Sequence, residues 1–147
     1  MSFIKVRLDR NLCQLQRRME KIMDEMMSLR GPFLSTADTE WSPEVDIYET
    51  NTHLFVVIGL AGVNREDIDV TFCSPFLRVR GNRGSLNGAG ELLKYHQLEM
   101  GRGEFERIFR LPAAVEQEEM EALYEDGLLT IRMKKGNRSH PVSVEIK

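Results

Sequence analysis

Three histidines, two cysteines and several adjacent acids are the residues of this chain best equipped for catalysis or metal binding, and their spacing supports neither. His53, His96 and His140 fall on separate elements, none with a cysteine or carboxylate at ligand spacing. Cys13 and Cys73 form no metal-binding pair and no disulfide framework, so both read as reduced, inert, small apolar residues, Cys13 being oxidisable if its helix is exposed. Glu118-Glu119 reads as solvated charge. Gly101-Arg102-Gly103 precedes a strand, whereas a phosphate-cradling loop opens a helix, and no nucleophile elbow is present. No enzymatic activity, cofactor or metal is expected. The chemistry left is that of binding.

Two segments carry it. Leu8, Leu12, Leu15, Met19, Ile22, Met26 and Leu29 recur at alternating intervals of four and three, the seam of an amphipathic helix. Asp9 or Asn11 is placed to cap it, and Gly31-Pro32 ends it. Met19, Met23, Met26 and Met27 crowd its second half, and unbranched, polarizable methionines adapt to many partners. Packing against its own or a sister subunit, reversible binding of hydrophobic clients and, less favoured, lying on a membrane surface remain open for this arm. The second segment is the stretch from Asn82 to Gly103, 22 residues between two strong strands, with Gly at 84, 88, 90, 101 and 103. Its centre, Leu92 to Leu98, has the character of a short strand on flexible connectors, able to reach the sheet edge of another subunit. A floppy surface loop is the alternative.

The elements between these segments alternate at period two. Strands are expected at 45–49, 53–58, 67–72, 76–80, 104–111, 119–125 and 128–133, with only Gln117 to Met120 readable as a brief helix. Asp126-Gly127 supplies the hairpin turn of the last pair. Short strands without intervening helices indicate an antiparallel sandwich. Arg107 alternates with Phe105 and Phe109, a costly place for a charge without a partner, so a partly buried and charge-paired arginine is expected. The chain of 147 residues, 41% hydrophobic, is too short for two full domains and too apolar for wholesale disorder. No apolar run approaches a membrane span, and the N-terminus lacks the pattern of a secretory signal, so a cytoplasmic protein is expected. Residues 1–30 carry seven Lys/Arg against four Asp/Glu, and residues 134–147 four against one; the body between is strongly acidic. That body would repel phosphate, and nucleic acid is not an expected partner.

Several segments then resemble a known family. Trp41-Ser42-Pro43-Glu44-Val45-Asp46-Ile47-Tyr48-Glu49 is similar to the entry of the α-crystallin domain of small heat-shock proteins, as is the run from Gly101 through Glu104-Phe105-Glu106-Arg107 to Pro112. Ala122-Leu123-Tyr124-Glu125-Asp126-Gly127-Leu128-Leu129 resembles the A-x-x-x-[ND]-G-V-L signature, with Leu128 in place of Val. Val144-Glu145-Ile146 resembles the [IV]-x-[IV] tail motif, and Val142-Ser143-Val144 is an overlapping candidate. Leu60-Ala61-Gly62 stands where Leu-Pro-Gly is usual, and Lys134-Lys135 where Pro-Lys is common.

The resemblance implies an all-β, immunoglobulin-like antiparallel sandwich spanning 41–135, with a helical arm and linker at 1–40, an exchange loop at 82–103 and an extended tail at 136–147. It implies an ATP-independent holdase of the bacterial type that binds partly unfolded clients and works as a large dynamic oligomer. Arg107, Leu93 and Tyr95 would lie at a strand-exchanged dimer interface. Val142, Val144 and Ile146 would supply the tail contact, docking between the strands at 67–72 and 119–125 of a neighbouring dimer. Leu12, Leu15, Met19, Ile22, Met23, Met26 and Met27 would form the client-binding arm. Physically, Val144 and Ile146 point to one side of an extended segment, and many weak tail contacts hold a closed assembly by avidity. The alternatives are a monomeric CS-domain-like co-chaperone adaptor, for which neither the loop strand nor the tail motif is expected, and a membrane-surface stabiliser.

Overall fold

The computed structural model describes residues 2–8, 14, 17–19, 41–85 and 90–136. Nine strands lie among them: β1 Ser2–Ile4, β2 Val6–Leu8, β3 Val45–Glu49, β4 His53–Gly59, β5 Ile68–Cys73, β6 Phe76–Arg83, β7 Gly103–Arg110, β8 Val115–Glu125 and β9 Leu128–Lys135. They form two sheets, ordered β1-β8-β9-β4-β3 and β2-β5-β6-β7. The core lies between them. Leu54, Val56 and Ile58 of β4 form one apolar core with Val70 and Phe72 of β5, Leu77 and Val79 of β6, Phe105 of β7 and Leu129, Ile131 and Met133 of β9. Each set sits two residues apart, so the period-two patterning of the sequence becomes the inner face of a sandwich.

The turn between β8 and β9 is set by two residues. Asp126 has φ 53° and Gly127 φ 75°, the left-handed angles a tight hairpin turn requires. A Cβ on Gly127 would also stand 2.9 Å from that of Ala61, while the Gly127 carbonyl accepts the Leu60 amide at 2.8 Å.

Four expectations need correction. Gln117–Met120 is strand and not helix; it lies in the irregular stretch of β8 between the Val115–Lys135 and Met120–Met133 pairs, where tertiary pairing overrides the helix preference of Gln and Glu. The sheets are not wholly antiparallel, because β2 runs parallel to β5. The first residues do not belong to a helical arm: β1 and β2 are strands of the sandwich, and Leu8, expected to open the helical seam, ends β2. Gln14 and Arg17–Met19 are helical, as the seam requires. Finally, Cys73 is buried and disulfide-bonded, not a free thiol; the chain's other cysteine, Cys13, lies outside the described residues. Spacing along the chain does not report the approach in space that a disulfide needs.

Candidate functional site

The sandwich meets its surroundings at two contrasting edges. At one, β3 pairs with β4 from Val45↔Ile58 to Glu49↔Leu54, and its other side has no strand beside it among the described residues. Asp46 to Glu49 are all exposed, including the apolar Ile47 and Tyr48, whose ring stacks on Phe55 with centroids 4.8 Å apart. An uncovered edge with apolar side chains is an invitation to pair.

Beside this edge sits Arg107 on β7. It is half-buried, as expected, but its partners are neutral: it donates to the Pro43 carbonyl at 2.7 Å and the Ser42 hydroxyl at 3.2 Å, and its guanidinium carbon lies 5.3 Å from the Phe109 ring centre. The expected carboxylate partner is not among the described residues of this chain. Arg107 thereby ties β7 to the two residues that lead into Glu44 and β3.

Among the described residues of the long connection after β6 there is no strand, contrary to the strand expected at Leu92–Leu98. A strand needs a backbone partner, and no strand among the described residues lies beside this segment. Its apolar side chains face water instead: Leu92, Leu98 and Met100 are exposed, and Leu93 is 94% accessible. Tyr95 is more protected, accepting a hydrogen bond from Arg102, whose guanidinium lies 4.8 Å over its ring.

The two ends of this connection meet at a cluster that the sequence reading missed. Arg83 is only 7% exposed; it lies 3.8 Å from the Trp41 ring centre and donates to the Gly101 carbonyl at 2.9 Å. Trp41 donates through Nε1 to the Gly103 carbonyl at 2.9 Å and meets Phe105 edge-on at 5.2 Å. A Cβ on Gly101 would come within 2.7 Å of Trp41. Burial lowers the Arg83 pKa from its ordinary value, with the Tyr124 phenol acting the other way. The signal was present in the phase: Leu77, Val79, Gly81 and Arg83 are two apart, so Arg83 had to point inward.

The second edge is closed. The chain's first residues cross from one sheet to the other, β1 antiparallel to β8 (Ile4↔Ala122) and β2 parallel to β5 (Val6↔Val70). Ile4 and Val6 pack on the core, whereas Phe3, Lys5 and Arg7 point outward. Arg7 pairs with Asp69 at 2.6 Å, Asp69 also accepts from Arg80 at 3.1 Å, and Arg65 donates to the Phe3 carbonyl. Next to Ile4, Tyr124 has its hydroxyl 2.7 Å from the carbonyls of Leu60 and Val63; burial raises its pKa, against the lowering effect of the Val63 hydrogen bond and the Arg83 charge.

Of the residues proposed for binding, Arg107, Leu93, Tyr95 and Met19 are thus placed, Met19 as an exposed helical residue. Leu12, Leu15, Ile22, Met23, Met26, Met27, Val142, Val144 and Ile146 lie outside the described residues. No described helix is long and apolar enough to cross a membrane.

A two-sheet sandwich with an open edge strand and a long connection between β6 and β7 defines the α-crystallin class of domain. The Hsp20/alpha crystallin family model matches residues 46–147, so the chain belongs to that family. It is 28% identical over 116 residues to small heat shock protein C2 of Rickettsia felis, covering 79% of this chain and 75% of that protein. It is 31% identical over 94 residues to the probable 15 kDa heat shock protein of Leptospira interrogans, covering 64% of this chain and 70% of that one. Among solved structures, it superposes on heat shock protein 16.0 of Schizosaccharomyces pombe with TM-score 0.60 and 29% identity, covering 69% of this chain and 93% of that one. The Xanthomonas axonopodis hspA structure gives TM-score 0.59 and 31% identity over 66% of this chain and 96% of that one. The protein is a small heat-shock protein with a chaperone function.

Proposed function

We propose that this chain is an ATP-independent holdase that captures partly unfolded proteins and works as a dynamic assembly of strand-exchanged dimers. The observation that carries the reading is the unfinished β3 edge together with the exposed Leu92–Leu98 segment. Each is a poor surface alone: one is a strand edge with no described strand beside it, the other carries exposed apolar side chains, Leu92, Leu93 and Leu98. Laid on the β3 edge of a sister chain, the segment would satisfy both, with Leu93 and Tyr95 as interface residues and Arg107 anchoring the approach to β3. Higher assembly follows from tails ending in Val142, Val144 and Ile146, which bind the edge between β5 and β8 of a neighbouring dimer. Each apolar tail residue contributes roughly 1.5–3 kcal/mol before ordering costs, so single contacts exchange and closed assemblies persist.

Exchange frees the arm carrying Leu12, Leu15, Met19, Ile22, Met23, Met26 and Met27, and clients with exposed apolar surface compete for it. No step consumes a nucleotide. The test is light scattering of a heat-denatured client without ATP, beside native mass spectrometry of the chaperone. Replacing Met19, Met23, Met26 and Met27 by Gln is expected to weaken protection severalfold at equal subunit concentration, with a smaller change in assembly size. Undiminished protection, or protection only with ATP, would overturn the reading.

A further inference from the structure

The sheet of β2, β5, β6 and β7 is covered on part of its outer side, where a bare sandwich would meet water. Along β5 the core takes Val70 and Phe72, so Thr71 and Cys73 point the other way, and Phe76 lies across from Cys73 in the β5–β6 ladder. All three are nonetheless shut from water: Thr71 and Cys73 are 5% exposed and Phe76 7%. None of them belongs to the core between the sheets. Described residues of the N-terminal arm reach this face. Arg17, which is helical, donates to the Ser74 carbonyl in the β5–β6 turn. Cys73, the residue before Ser74, is disulfide-bonded. The sequence holds one other cysteine, Cys13, four residues before Arg17, the spacing that sets two side chains on one face of a helix.

We propose that the bond joins Cys73 to Cys13 of the same chain and that it is a thiol–disulfide lock on the arm. Intact, it fastens the start of the arm to the outer face of the β5–β6 hairpin; reduced, it releases the arm to clients. The proposal rests on the reading above that this arm captures clients, and adds its control.

A dithiol reductant opens the lock. One of its thiolates attacks one sulfur of the pair and forms a mixed disulfide, while the other cysteine leaves as a thiolate. The second thiol of the reductant then displaces the first cysteine. The protein gains two electrons and two protons, and the reductant is left as a disulfide. A small disulfide such as oxidised glutathione runs the exchange backwards. The bond keeps the arm beside its seat at high effective concentration, which the single exposed hydrogen bond of Arg17 cannot do alone. Leu12 and Leu15 flank Cys13 on the apolar seam and are the first positions withheld from clients. Met19, already exposed, and the methionines after it lie beyond the fastened turn. Apparent client affinity then rises with the fraction of arms set free.

The test begins with the bond itself. The full chain, treated with oxidised glutathione and digested without reductant, is expected to yield one linked pair of peptides, Cys13 with Cys73, from a protein that runs as a single chain on a denaturing gel. Free thiols, or chains joined to one another, overturn the pairing. Aggregation of a heat-denatured client that has no cysteine is then followed by light scattering with and without dithiothreitol. Reduction is expected to improve protection about threefold or more at equal subunit concentration. Cys13→Ser should protect at the reduced level with or without dithiothreitol. Equal, strong protection by both forms of the wild-type chain overturns the lock and leaves the holdase reading standing; protection by neither form overturns both. Hydrogen exchange reads the arm without a client. On reduction the amides of residues 14 and 17–19 should lose protection while those of β4 and β9 keep theirs, and unaltered exchange in the arm overturns the proposal.

Discussion

The β3 edge and the β5/β8 edge present the same physical problem and meet it differently. Each is a row of backbone groups at the rim of a sandwich whose core is apolar. At β5/β8 the chain covers the rim with its own first residues, and Ile4 and Val6 add to the core. At β3 no described strand covers the rim, Ile47 and Tyr48 are exposed, and so are Leu92, Leu93, Leu98 and Met100 of the long connection. A segment that reaches its seat in cis closes the fold of one chain, whereas the exposed 92–98 segment is the one we propose to pair with another chain.

Removing the bare side's segment tests this most strongly. Deletion of Gly88 to Met100 should convert dimers to monomers while far-ultraviolet circular dichroism keeps its β signature, because Arg83, Trp41 and Phe105 still define the sandwich at the base of the loop. A deletion variant that sediments as a tight dimer would refute strand exchange. Next in size, Val144→Ala with Ile146→Ala removes roughly 3–6 kcal/mol of gross apolar contact per tail, and should reduce large assemblies to dimers and small oligomers in native mass spectrometry. Arg107→Gly removes the hydrogen bonds to Pro43 and Ser42 at the open edge. A loss of about 1–3 kcal/mol is expected, seen as a lower melting temperature and an altered assembly size; if neither moves, Arg107 is a surface residue. The smallest effect belongs to the closed edge. Arg7→Gln breaks the exposed pair with Asp69, and a change of at most about 1 kcal/mol is expected, vanishing at high salt. A larger, salt-independent loss would mean that charge, and not the apolar seats of Ile4 and Val6, holds β1 and β2.

Two cationic side chains show how far a sequence pattern reaches. The phase of β7 placed Arg107 beside Phe105 and Phe109 and implied a partner, but a carboxylate was expected where the fold supplied a carbonyl and a hydroxyl. Arg83 obeyed the same phase after Leu77 and Val79 and was overlooked, since its partners, Trp41 and Gly101, are distant in sequence and show no pattern together.

What the sequence determined by itself was local: period-two patterning for β3 to β9, Asp126-Gly127 for the turn with positive φ, and the family signature around them. These are properties of neighbouring residues, because side-chain alternation and turn geometry act over a few positions. The tertiary structure decided which edges are covered. Nothing in Ser2 to Leu8 announces pairing with residues 115–125 on one side and 68–73 on the other, and two runs of three residues are too short to outweigh the helical seam that follows. Likewise, only the assembled sheets show that, among the described residues, no strand lies on the outer side of β3 and Leu92–Leu98 is not a strand. Pairing between distant segments depends on the loop closures and core contacts that bring them together, and these are set by the whole chain at once.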